Sequence, residues 1–145
     1  MSKVRRRFMR MQKFVRVGVM VLGSMLFFSC SGKKSTPELA DMMTAELEGL
    51  PGVIRSVEEK SDAERASKEI RAMSQAIGVL IPEVPEGEKL TLEQRVIVEK
   101  KIRAVQDEVA YLLQRLSDRP EVLIQLSEPL QELGNVLEAA SAAMK

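Results

Sequence analysis

The sequence contains no histidine and no tryptophan, a single cysteine, and only five aromatic residues in 145 positions. Without histidine, the commonest general base at neutral pH and the commonest metal ligand are both missing. One cysteine cannot close an internal disulfide framework. Serines and lysines are present, but none stands at a spacing that marks a nucleophile with its base, so the chain is not expected to be an enzyme. The length suits one domain.

The formal net charge of +1 is the sum of two unlike segments. Residues 1–29 carry seven basic side chains (Lys3, Arg5, Arg6, Arg7, Arg10, Lys13, Arg16) and no acid. The rest of the chain keeps 15 of the 22 basic residues and all 21 acids, a net −6. After Arg16 comes an uncharged run from Val17 to Phe28, followed by Ser29 and Cys30. A basic stretch, a short apolar stretch and then small residues make the layout of a secretory signal, with the basic part held on the cytoplasmic side. The run has 12 residues, and a helix needs about 20 to cross the hydrocarbon core. Residues 1–29 are therefore read as a signal peptide rather than a permanent span.

Phe27-Phe28-Ser29-Cys30 resembles the lipobox of bacterial lipoproteins. The resemblance implies cleavage between Ser29 and Cys30 and diacylation of the Cys30 sulfur, with the new amino group open to acylation as well. Lipoboxes favour leucine and a small residue where this chain has Phe27 and Phe28, whereas Ser29 and Cys30 fit. The alternatives are ordinary cleavage after Ser31 and a buried apolar thiol at Cys30. Two acyl chains meet the two-signal requirement for stable anchoring, so the expected partner of Cys30 is membrane lipid and the expected location is the cell envelope. Ser31 after the cysteine is similar to outer-membrane sorting in enteric bacteria, which implies a periplasm-facing outer-membrane position in a Gram-negative cell. Arg5-Arg6-Arg7-Phe8-Met9-Arg10 looks like the twin-arginine export pattern, with Val4 where that family prefers serine or threonine. General export is the alternative route.

All four phenylalanines fall before Cys30, which leaves Tyr111 as the one aromatic residue of the mature chain. Stacking on sugars or bases needs aromatic faces in number, and an acidic exported chain is a poor electrostatic partner for phosphates. No nucleic-acid partner is expected. Lys100, Lys101 and Arg103 read as a solvated helix face.

Residues 30–36 read as the lipidated cysteine and a linker, and residues 37–145 as a helical domain. Thr36-Pro37 is a helix-start signal, a capping hydroxyl followed by proline at the first helical position. Leu39, Met42, Met43, Leu47 and Leu50 follow at helical spacing until Gly49-Leu50-Pro51-Gly52 breaks or kinks the segment, with a short continuation expected over 53–60. Ser61 and Glu64 have the spacing of a capping box. The helix it opens carries Ala63, Ala66, Ile70, Met73, Ile77 and Leu80 on one face and ends at Pro82. Thr91 and Gln94 form a second box for a long helix over 92–117, striped with Val98, Ile102, Val105, Val109, Leu112 and Leu116. Asp118, Pro120 and Glu121 start a last helix with Leu123, Leu126, Leu130, Leu133, Leu137, Ala140 and Met144 on one face. Pro129 should kink or restart it, because proline removes a donor and crowds the carbonyl of Gln125. These stripes predict an all-α fold, an antiparallel bundle of three to four helices, with a single parallel coiled-coil rod as the second choice.

Methionines 42, 43 and 73 are read as packing rather than soft metal ligands. The acidic pairs Glu58-Glu59 and Asp107-Glu108 point about 100° apart on a helix and do not converge as an acid/base pair. Glu83, Glu86 and Glu88 lack the alternating pattern of a calcium loop. No cofactor and no metal are expected. Asp62-Ala63-Glu64-Arg65-Ala66 and the step from Arg115-Leu116 to Pro120 are similar to small helical lipoproteins of Gram-negative lineages without assigned activity, and that resemblance implies no catalytic residue. Lys145, after the low-bulk string 139–143, stands where the major murein-linked lipoprotein also has a terminal lysine, through which it is bonded to peptidoglycan. That protein is a short unbroken coiled coil, whereas this chain has prolines in its helices. The expected function is a membrane-anchored envelope lipoprotein acting as a binding or scaffolding module for another envelope protein. A membrane-to-peptidoglycan tether through Lys145 is the alternative, and a small cofactor- or metal-binding periplasmic protein the second.

Overall fold

Ser35 opens the first helix and shows how the polar linker passes into the folded part. The computed structural model describes residues 32–145. The leader, the cleavage pair Ser29 and Cys30, Ser31 and the twin-arginine string lie outside the described residues. Helix α1 runs Thr36–Glu48 with Ser35, not Thr36, at the N-cap. The Glu38 carboxylate accepts the Ser35 backbone N–H at 2.8 Å and its hydroxyl at 3.0 Å. These bonds, the backbone one first, hold the Glu38 carboxyl below its usual 4.5. Thr36 is thereby free for another use. It is buried, its hydroxyl donates to the Glu88 carbonyl at 3.0 Å, and its N–H donates to the Glu88 carboxylate at 3.2 Å.

Gly49 breaks α1 as expected, and α2 (Leu50–Arg55) continues it past Pro51 as the second limb of a kinked helix. The continuation stops at Arg55 rather than reaching Lys60. Helix α3 (Lys60–Gly78) is capped two residues earlier than the Ser61–Glu64 spacing suggests. Glu59 is its N-cap, and the Asp62 carboxylate accepts the N–H groups of both Glu58 and Glu59 at 3.2 Å. One short acid satisfying two end-of-helix donors outcompetes a serine box, and Ser61 turns instead to the Glu59 carboxylate at 2.8 Å. The Glu58 N–H is also the main reason the Asp62 carboxyl lies below its usual 3.8.

A 3-10 turn at Ile81–Glu83 contains Pro82, and a loop turning at Gly87 (φ 80°) leads to α4 (Leu92–Arg115). The Thr91–Gln94 box forms as predicted, with reciprocal bonds of 2.9 and 3.2 Å. The 24 residues of α4 make a rod about 36 Å long. Helix α5 (Pro120–Met144) runs through Pro129 without a restart. Pro129 cannot donate to the Gln125 carbonyl, but the hydroxyl of buried Ser67 on α3 lies 2.9 Å from that oxygen and 2.8 Å from the Ala63 carbonyl. A neighbouring helix thus serves the acceptor that proline leaves open. We expect Ser67→Ala to cost about 1–3 kcal/mol for an unmet buried carbonyl, and to cost less in a Pro129→Ala background, where a backbone N–H returns. Urea unfolding of the four-member cycle reads the difference, and equal costs in both backgrounds would remove the pairing.

Successive helices alternate in direction, so the chain is an all-α bundle of four helices once α1 and α2 are counted as one kinked helix. The tightest pairs are nevertheless parallel. Helix α3 runs alongside α5, tied by Arg119 to the Glu58 carbonyl at one end and by Arg71 to Glu128 (2.8 Å) and Glu132 (3.3 Å) further on. Helices α1 and α2 run alongside α4, tied by Lys101 to Asp41 (3.3 Å) and by Arg55 to Glu108. Exposed ion pairs of this kind contribute little energy and serve here as register markers. The core lies chiefly where α1, α2, α3 and α5 meet, around Leu39, Ile54, Ile70, Ile77, Val122 and Leu126. Met43 is in that core, and Met42 and Met73 pack against it.

Candidate functional site

The apolar stripe has five residues on α4 and a sixth, Leu116, just past its end, and the chain buries only two of the six, Leu112 and Leu116. Val98, Ile102, Val105 and Val109 are half-buried. The physical reason is the order of packing. Helix α4 rests on α1 and α2 but has little direct contact with α5, although only residues 116–119 connect the two.

The space between α4 and α5 is an open apolar cleft of about 210 Å³. Leu47 and Leu50 come from α1 and α2, Ile102, Val105, Val109 and Leu113 from α4, and Leu130, Leu133 and Leu137 from α5. Of the lining residues only Gln106 carries a polar side chain. Gly134 lowers the α5 wall, and a Cβ added there would meet nothing within 4 Å. Known pockets for drug-sized ligands run to roughly 300–1,000 Å³ and place several polar groups against the ligand. This cleft is smaller and nearly featureless in hydrogen bonding. It suits a few apolar side chains of another chain better than a cofactor.

Among the described residues, no group of three acidic side chains is placed to hold a metal ion. Every buried side-chain polar atom among them has a partner. Thr44 and Ser74 spend their hydroxyls on helix carbonyls four residues back, at 3.0 and 3.1 Å, and the Ser67 hydroxyl lies between the Ala63 and Gln125 carbonyls. Tyr111 is exposed on α4.

Of the three site residues read from the sequence, Ser29 and Cys30 lie outside the described residues. Lys145 is exposed beside buried Met144, whose carbonyl accepts the Leu90 N–H at 3.2 Å. Leu90 is two residues from Glu88, which holds Thr36 at the start of α1. Lys145 and the point where the chain enters α1 are therefore at the same end of the bundle. The cleft residues went unrecognised in sequence because an apolar stripe reads as core whether or not the chain supplies its cover. The chain matches no protein-family model, no characterised protein and no solved structure.

Proposed function

We propose that the chain is a lipid-anchored lipoprotein of the cell envelope whose helical bundle is a non-enzymatic binding module, taking an amphipathic helix of another envelope protein into the cleft between α4 and α5. The observation that carries this reading is the α4 stripe. Ile102, Val105, Val109 and Leu113, half-exposed aliphatic residues at helical spacing that face the α5 leucines across a gap, make a groove of the kind that accepts a helix through its i, i+3, i+4 and i+7 side chains. The basic leader, the short apolar run and the Ser29-Cys30 pair support the anchor.

The position of Lys145 favours a binding module over a tether. A protein that spans from membrane to wall gains reach when its two attachment points lie at opposite ends. Here Lys145 lies at the end where the linker from Cys30 enters, so the length of the bundle would be wasted.

In-cell crosslinking tests the proposal. A photoreactive residue at Val109, activated in intact cells, should capture a discrete protein through its apolar helix, and mass spectrometry of the product should find acyl chains on Cys30 and a free Lys145 side chain. A muropeptide on Lys145 would restore the tether. Capture at Tyr111 as strong as at Val109 would remove the cleft from the reading.

A further inference from the structure

Six large apolar residues of the described chain are strongly exposed, and four of them, Val79, Leu92, Val96 and Ile97, belong to one end of the bundle. That end is defined by bonds already described. Lys34 pairs with Glu83 at 3.6 Å, Thr36 with Glu88, and the Leu90 N–H with the Met144 carbonyl. Together these place the start of α1, the loop from Val79 to Thr91, the first turns of α4 and the last turn of α5 side by side. Towards the opposite end Tyr111 and Ile124 are the two comparably bare residues, one on each of two helices. Leu92 is 78% exposed and Val79 66%, whereas Leu80 and Leu90 beside them are buried and Ile81 and Val84 half-buried.

We infer that this end is a membrane-contact face, seated in the interface of the bilayer that holds the Cys30 lipid. The inference rests on the lipid-anchor reading and adds an orientation to it. Ser35 is five residue steps past Cys30, and extended chain of that length reaches at most about 18 Å. An acylated Cys30 lies at the headgroup level, so this end is the one held near the membrane. The apolar residues also match in depth. Leu92 and Val96 are one helical turn apart, about 6 Å along α4, and interfacial elements bury their apolar side about 5–10 Å into the headgroup and acyl boundary. Among the described residues no helix is long and apolar enough to cross a membrane, so the contact is shallow.

Charge does not drive it. Lys33, Lys34, Lys89, Arg95 and Lys145 are balanced by Glu38, Glu83, Glu86, Glu88 and Glu93, and a zwitterionic surface therefore suffices. The arrangement has a consequence for the cleft. With α4 and α5 rising from the membrane face, the groove between them opens sideways, to partners on the same membrane.

Spin-label depth measurement tests the face. The full chain, processed in cells and reconstituted in phosphatidylcholine vesicles, would carry a label on Val79→Cys, Leu92→Cys or Val96→Cys, with Ile124→Cys as the equally exposed control. These are surface positions, so the fold tolerates the change, and an acylated Cys30 does not react with the label. Labels at 79 and 92 should report a depth of about 5–10 Å below the phosphates, with 96 at the boundary and 124 in bulk water. A vesicle-bound, acylated chain whose label at 92 is as wet as that at 124 overturns the face and leaves the anchor standing. A chain with no acyl group on Cys30 and no vesicle association overturns both.

Discussion

Gly134→Leu should leave the bundle as stable as the parent or slightly more so, and abolish capture at Val109. Glycine inside a helix costs about 1 kcal/mol relative to alanine, and leucine recovers most of that. The new Cβ meets nothing within 4 Å, and the leucine side chain then extends into a cleft of about 210 Å³ that is already lined by leucines and valines. The groove is filled by the chain itself and no longer accepts a partner. Leu126→Ala is the opposing control. Leu126 is fully buried between α5 and α3, and truncating such a leucine costs about 2–5 kcal/mol through lost burial and the cavity left behind. Domains of this size have only about 5–15 kcal/mol in total. Leu126→Ala should therefore lower the urea midpoint sharply while partner capture by the remaining folded protein is kept. Stability and binding separate in opposite directions if the cleft is the site. Loss of capture in both variants, in proportion to stability, would mean that the cleft has no role of its own.

The helices were legible because their ends are written in local chemistry. Thr91 with Gln94, Pro120 at the start of α5, and the Gly49-Leu50-Pro51-Gly52 break each act within four residues, and each appears where the spacing puts it. The departures come from groups that more than one site can use. Ser35 and Thr36 both offer a capping hydroxyl, and the long-range bond to Glu88 assigns Thr36 elsewhere. Ser61 and Asp62 compete for the start of α3, and the carboxylate, which takes two N–H groups, prevails. Pro129 has its predicted local effect, a carbonyl without its donor, yet Ser67 stands fifty-eight residues away in sequence to meet it. The cleft was illegible for a related reason. Periodicity says which face of α4 is apolar but not which helix covers it, and the choice of α1 and α2 over α5 is a matter of tertiary packing.

Replacing Cys30 by serine should release the protein from the membrane with its fold intact. The mechanism is additive burial. Each CH₂ in the bilayer contributes about 0.8 kcal/mol, so that a single myristoyl chain holds a protein only reversibly and a second makes the attachment durable. The membrane face offers far less. Fully burying one leucine contributes about 1.5–3 kcal/mol, and Val79, Leu92 and Val96 would be only partly inserted. They can orient an anchored bundle but cannot retain a free one. Lys33–Lys145 has a core of its own, from Leu39 to Met144, so thermal unfolding should be unchanged. Since a lipobox variant can also fail to be cleaved, the Cys30→Ser chain is best carried behind an export signal whose cleavage does not require cysteine, beside the parent behind its own leader. The parent should enter the detergent phase on cloud-point separation and carry the mass of its acyl chains, and the variant should stay in the aqueous phase with neither. A parent chain that is itself aqueous, with an unmodified thiol at Cys30 or a terminus after Ser31, would sink the anchor.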